Sequence, residues 1–78
     1  MDDTKNLNFG MVLSGLEAGH HYSREGWNGR GMFIALQVPD ENSRMKQPYI
    51  FIVPVGGQLV PWVASQSDLL AKDWCLVE

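Results

Sequence analysis

Apolar positions change period along this chain, and each change marks an element. Phe9, Val12, Leu13 and Leu16 recur at i, i+3, i+4 and i+7, one face of a helix. Asn8 stands where a side-chain cap belongs and Gly19 where a left-handed stop would fall, which predicts a helix over 9–18. Gly10 and Gly15 weaken it, so packing rather than propensity must hold it. Residues 20–24 alternate as a short strand, with Tyr22 and Arg24 on one face and His21 and Ser23 on the other. Residues 32–38 and 49–55 are apolar on both faces and read as inner strands. Gly56-Gly57 signals a hairpin into a return strand over 58–62, which Pro61 assigns to a sheet edge. Ser65-Gln66-Ser67-Asp68 fits a capping box opening a short helix over 66–72, with Leu69 and Leu70 expected inward. Residues 74–77 read as a last strand, with Trp74 in the core.

Helix, strands, helix, strand, joined by hairpin links and without a βαβ period, is an α+β pattern. It predicts a small, mainly antiparallel sheet with two short helices. Residues 1–7 read as a loose tail and 8–78 as one domain. Two helices can cover one face of such a sheet. The strands apolar on both sides would leave the other face exposed, so a homo-oligomer built through the sheet is expected.

Size sharpens that expectation. A chain of 78 residues is marginal as a lone domain. The single cysteine, Cys75, excludes an internal disulfide, and no Cys/His spacing resembles a zinc site. Association is the stabilising device left. A net charge of −3 argues against a nucleic-acid polymer held by phosphate contacts. No apolar run is long enough to span a membrane, and the polar start lacks signal-peptide features. One unpaired thiol fits the cytoplasm.

The stretch Arg24-Glu25-Gly26-Trp27-Asn28-Gly29-Arg30-Gly31-Met32-Phe33 is a glycine-rich turn around a tryptophan, flanked by two arginines. An indole suits a place with one side packed and the other open, and the cations suit something flat and anionic. On composition alone, a tight hairpin with Trp27 folded back on the core stands slightly ahead. Trp62 is a second ring at a strand end, beside Ser65 and Gln66. Two stacking platforms with Arg24, Arg30 and Asn28 could hold a nucleotide-like molecule. Ser65 and Asp68 are explained by the helix cap, a reading compatible with ligand contact. His20 and His21 read as solvated strand-entry residues, and Cys75 as a buried structural thiol. The carboxylates are scattered, and no triad, phosphate loop or metal cluster emerges. Neither an enzyme nor a cofactor is expected.

Residues 23–33 and 60–74 together resemble the Thoeris anti-defence protein 2 family of phages and prophages. The helix start at Asn8-Phe9-Gly10 and the Gly19 stop fit it too, and the likeness spans about Leu7 to Glu78. The resemblance implies a small α+β fold assembling as a homotetramer, a dimer of dimers. It implies a sponge that binds a glyco-cyclic ADP-ribose signal at subunit interfaces without cleaving it, in the cytoplasm of the infected host. Such binding would keep an NAD-degrading effector of Thoeris defence off. Carried over by motif, Trp27 would stack on the adenine, and Arg24 and Asn28 would shape the pocket wall. Trp62, Ser65, Gln66 and Asp68 would line the other side.

The link of residues 39–48 is shorter than in many relatives, so contacts made there are in question, with Arg44 or Lys46 as substitutes. Three other readings remain. One is a sponge for cyclic di- or trinucleotides of another defence system. Another is a protein-interaction module using the apolar sheet face. The last is a small hydrolase of such signals.

Overall fold

The computed structural model describes residues 4–27 and 31–77. In chain order the elements are α1 (Phe9–Glu17), β1 (Tyr22–Arg24), β2 (Phe33–Gln37), β3 (Tyr49–Val53), β4 (Val60–Pro61), α2 (Gln66–Leu70) and β5 (Trp74–Leu76). The strands form one sheet in the order β4-β3-β2-β1-β5, and every neighbouring pair is antiparallel. The fold is α+β, as the element pattern predicts.

Local chemistry sets the ends of α1. The Asn8 side chain accepts from the Met11 N–H at 2.9 Å, and Gly19 takes the left-handed backbone (φ 98°) that stops the helix. Gly15 is required by packing. A Cβ there would run into the Tyr22 ring and hydroxyl.

Register sorts the side chains into two faces. Tyr22, Ile34 and Ile52 align across the strands, with Leu36 opposite Ile50 and Arg24 opposite Trp74. Val12 and Leu16 of α1 lie on this face, where they join Tyr22, Ile34 and Trp74 as the buried core. The opposite face carries Ser23, Phe33, Ala35, Phe51, Val53 and Cys75, and neither described helix packs on it. His21 belongs here too. It is half-buried and stacked on Phe33 (4.9 Å between centroids, 9° between planes), so it is more than a solvated entry residue. Cys75 is half-buried, and burial pushes its thiol above the ordinary range, with Glu25 and Asp73 adding to the effect.

The two sheet edges end differently. β4 is two residues long and contains Pro61, which blunts pairing there. Beyond β5, Leu7 and Trp74 exchange backbone hydrogen bonds at 3.0 and 3.2 Å, and the Leu76 N–H donates to the Thr4 carbonyl at 2.7 Å. The stretch read as a tail is therefore tied to the sheet from Thr4 onward.

One expectation fails in α2. Leu69 is 46% exposed and Leu70 76%, and no residue of this helix is buried. The helix turns Asp68 inward instead, because that carboxylate meets Arg24, and a five-residue helix has only one face to give.

Candidate functional site

The site grows from the end of β1. Beyond Arg24 the chain turns, with the Trp27 N–H donating to the Arg24 carbonyl at 3.1 Å. The Trp27 ring is half-buried and meets Trp74 edge-on, at 5.3 Å and 78°. It is thus anchored on the core on one side, with accessible surface left. This is the amphipathic placement expected of an indole at a binding surface, and it also satisfies the folded-back reading.

Arg24 is the hub of the polar part. Its Nε donates to Asp73 Oδ1 and its Nη1 to Asp68 Oδ1, both at 2.9 Å. The guanidinium therefore ties β1 to α2 and to the start of β5. Asp73 and then Asp68 hold Arg24 above its ordinary range. Asp73 is held below the usual carboxylate range, chiefly by the Arg24 hydrogen bond, against burial, with help from the Gly26 N–H. Burial alone would raise Asp68. Hydrogen bonds from Arg24 and from the Ser65 backbone and hydroxyl outweigh it, with a smaller pull from the Trp27 indole N–H.

The second half of the site is the capping box. Asp68 Oδ2 accepts from the Ser65 N–H (3.1 Å) and hydroxyl (2.9 Å), while the Asp68 N–H donates back to Ser65 Oγ at 3.1 Å. The Asp68 carbonyl accepts from the Trp74 indole N–H at 3.0 Å. Of the residues singled out in the sequence, Arg24, Trp27, Ser65 and Asp68 come together. Gln66 is exposed on the first turn of α2. Asn28, and Arg30 with it, lies outside the described residues.

Trp62 stands elsewhere. It packs on Phe9 (5.9 Å) and edge-on to Trp74 (6.0 Å, 88°), and its backbone N–H donates to the Ile50 carbonyl. It lines an open cleft of about 490 Å³ with Leu13, Glu17, Leu36, Pro48, Tyr49 and Ile50. Trp27 and Trp62 thus brace Trp74 by separate contacts. A second cleft of about 300 Å³ is lined by Gln37, Ser43, Arg44, Met45 and Tyr49. It sits at the far end of β2 from the Trp27 turn, so within one chain Arg44 does not stand beside Trp27.

Asp73 escaped the sequence reading. It lies 49 residues from Arg24, and no local pattern links them. The available signal was Arg24 itself: a half-buried guanidinium needs carboxylates, and Asp68 alone leaves Nε unmet. The sum of Arg24, Asp68 and Asp73 is −1, so this triad by itself does not attract an anion. It suits hydroxyl and N–H groups, with Arg24 Nη2 left without a partner among the described residues. Among those residues no cluster of His, Cys, Asp and Glu could hold a metal ion, and no helix is long and apolar enough to cross a membrane.

The fold and site define a small antiparallel α+β domain, with an aromatic platform and an ion-pair triad gathered at one sheet end. The chain belongs to the family of the Thoeris anti-defense 2-like domain, whose model matches residues 7–77. It is 33% identical over 84 residues to Thoeris anti-defense 2 of Bacillus phage SP01, an alignment covering 91% of this chain and 94% of that protein. The likeness seen in the two motifs is borne out across nearly the whole chain.

Proposed function

We propose that this protein is an anti-defence sponge that binds and sequesters a glyco-cyclic ADP-ribose immune signal without cleaving it. The observation that carries this reading is the match to the Thoeris anti-defense 2 family over residues 7–77. The site chemistry supports it. The accessible side of Trp27 offers a stacking platform for the adenine, worth about 1–3 kcal/mol. Asp68 and Ser65 offer acceptor and hydroxyl groups to ribose, and Arg24 Nη2 a charge-assisted donor. Asn28, Gln66 and Trp62 would complete the pocket. Trp62 lines a neighbouring cleft and would join the pocket across a subunit boundary. Of the two interfaces in a dimer of dimers, one would cover the open sheet face and the other, on the helix-bearing side, would supply that boundary. The protein would act in the cytoplasm of the infected host and keep the Thoeris effector unactivated.

The Arg44 cleft favours a second reading, a sponge for cyclic di- or trinucleotides, because it pairs a guanidinium with the Tyr49 ring.

Calorimetric titration with the two glyco-cyclic ADP-ribose isomers tests the first reading. One isomer binds tightly and is recovered intact by chromatography after heat release. Trp27→Ala weakens it by about 5- to 150-fold, the equivalent of one lost stack. No heat from either isomer overturns the reading. Cyclic di- and trinucleotides then test the second one, and a protein partner follows if they fail. Consumed ligand would make the protein a hydrolase instead.

A further inference from the structure

Asp73 touches three consecutive residues of the turn that presents Trp27. Its Oδ1 accepts from Arg24 Nε at 2.9 Å and its Oδ2 from the Gly26 N–H at 3.0 Å. Its backbone carbonyl accepts from the Glu25 N–H at 3.1 Å. The next residue, Trp74, is wholly buried and carries the Trp27 ring on its edge. Backbone and ring of the turn are therefore both referred to β5 through adjacent residues. Gly26 fits closely as well: a Cβ there would stand 3.2 Å from Asp73 Oδ2.

We propose that Asp73 is the positioning residue of the binding site. Through Arg24 and the Gly26 N–H it fixes the stance of Trp27 and aims the guanidinium at Asp68, without itself touching the ligand. The ligand part of this inference rests on the sponge reading; the positioning part does not.

Two substitutions disturb the contact from opposite sides. Asp73→Asn keeps the shape, but its amide NH2 must oppose either the Arg24 Nε–H or the Gly26 N–H, donor against donor. Gly26→Ala pushes on Oδ2, and Gly26 is not among the glycines with positive φ, so the backbone accepts the change. Amide and indole NMR spectra of the full chain are recorded beside titrations with whichever isomer the unaltered protein binds. Each variant shifts the Trp27 indole and Arg24 Nε–H resonances, while the Val12, Leu16 and Ile34 amides stay in place. Each weakens the ligand by about tenfold or more, as for lost hydrogen bonds to a charged group. The double variant is no weaker than the worse single one, because both act through one contact. Asp73→Glu, which restores the charge on a longer arm, recovers part of the affinity.

An unmoved Trp27 indole in folded Asp73→Asn overturns the proposal, as do additive losses in the double variant. Unchanged affinity in Asp73→Asn overturns it while leaving the sponge reading intact. Should Asp73→Asn fail to fold, the Trp27 indole of Gly26→Ala decides alone. Should the unaltered protein bind neither isomer, the sponge reading falls, and the NMR comparison still decides the positioning role.

Discussion

The two helices of this domain are held by different forces. α1 buries Val12 and Leu16 completely against Tyr22, Ile34 and Trp74, and carries no acidic first turn or basic last turn. α2 buries no residue and stays in place through Ser65, Asp68, Arg24 and the Trp74 indole. Apolar burial has no titrating group and no charge for salt to screen; a charge-assisted latch responds to both pH and screening. Stability therefore resides in α1, and the adjustable part of the molecule lies at α2, where the candidate site is.

The widest separation of the two comes from Leu16→Ala. Leu16 is 1% exposed, so the loss is about 2–5 kcal/mol. Denaturant unfolding measures it as a lowered midpoint with unchanged slope. Leu70→Ala, on a side chain 76% exposed, changes stability by at most about 0.5 kcal/mol. Comparable losses at the two positions would break the contrast.

Next in size is a pair of glycine substitutions inside α1. Propensity alone favours alanine over glycine by about 1 kcal/mol at either site. At Gly10 the new Cβ stands 3.3 Å from Asn8 Oδ1, the oxygen that caps Met11, so shifting the cap offsets the propensity gain and Gly10→Ala is close to neutral. At Gly15 it collides with the Tyr22 ring, and overpacking of about 1–3 kcal/mol reverses the sign. Thermal melts of both variants check the order. A stabilised Gly15→Ala would mean that Tyr22 moves aside freely, and that α1 rests less firmly on the sheet than its burial indicates.

These contrasts track what the sequence could disclose. The period of Phe9, Val12, Leu13 and Leu16, the Asn8 cap, the strands and the Pro61 edge were legible, because each is a local pattern. The facing of α2 was not. In five residues Leu69 and Leu70 give no period, and a partner 44 residues away, Arg24, decided which side turned inward. The candidate site was half legible. Trp27, Arg24, Ser65 and Asp68 stand together, as their motifs imply. Asp73 was invisible, because an ion pair between distant segments exists only once the strands have paired. Trp62 resembled Trp27 in being a ring at a strand end, yet the topology sets its cleft by Leu36, Tyr49 and Ile50, away from the Trp27 turn.

The smallest effect is the most local, and it tests the latch directly. Ser65→Ala removes the Asp68 N–H acceptor and costs about 0.5–2 kcal/mol, as caps do. The loss should fall on the amides of α2, leaving Val12 and Leu16 protected in hydrogen exchange. Acid does the same reversibly. Asp68 and Asp73 both have folded values below the ordinary carboxylate range. Their contribution is therefore complete above an unfolded value of about 4 and disappears as pH falls through the lower folded values. NMR shifts of Leu69 and Ala71 should hold steady from neutrality down to about pH 4 and move below it, while those of Val12 and Leu16 follow only at global unfolding. Simultaneous movement of both sets would mean that the two helices form one cooperative unit, and the latch at α2 could not then be adjusted apart from the core.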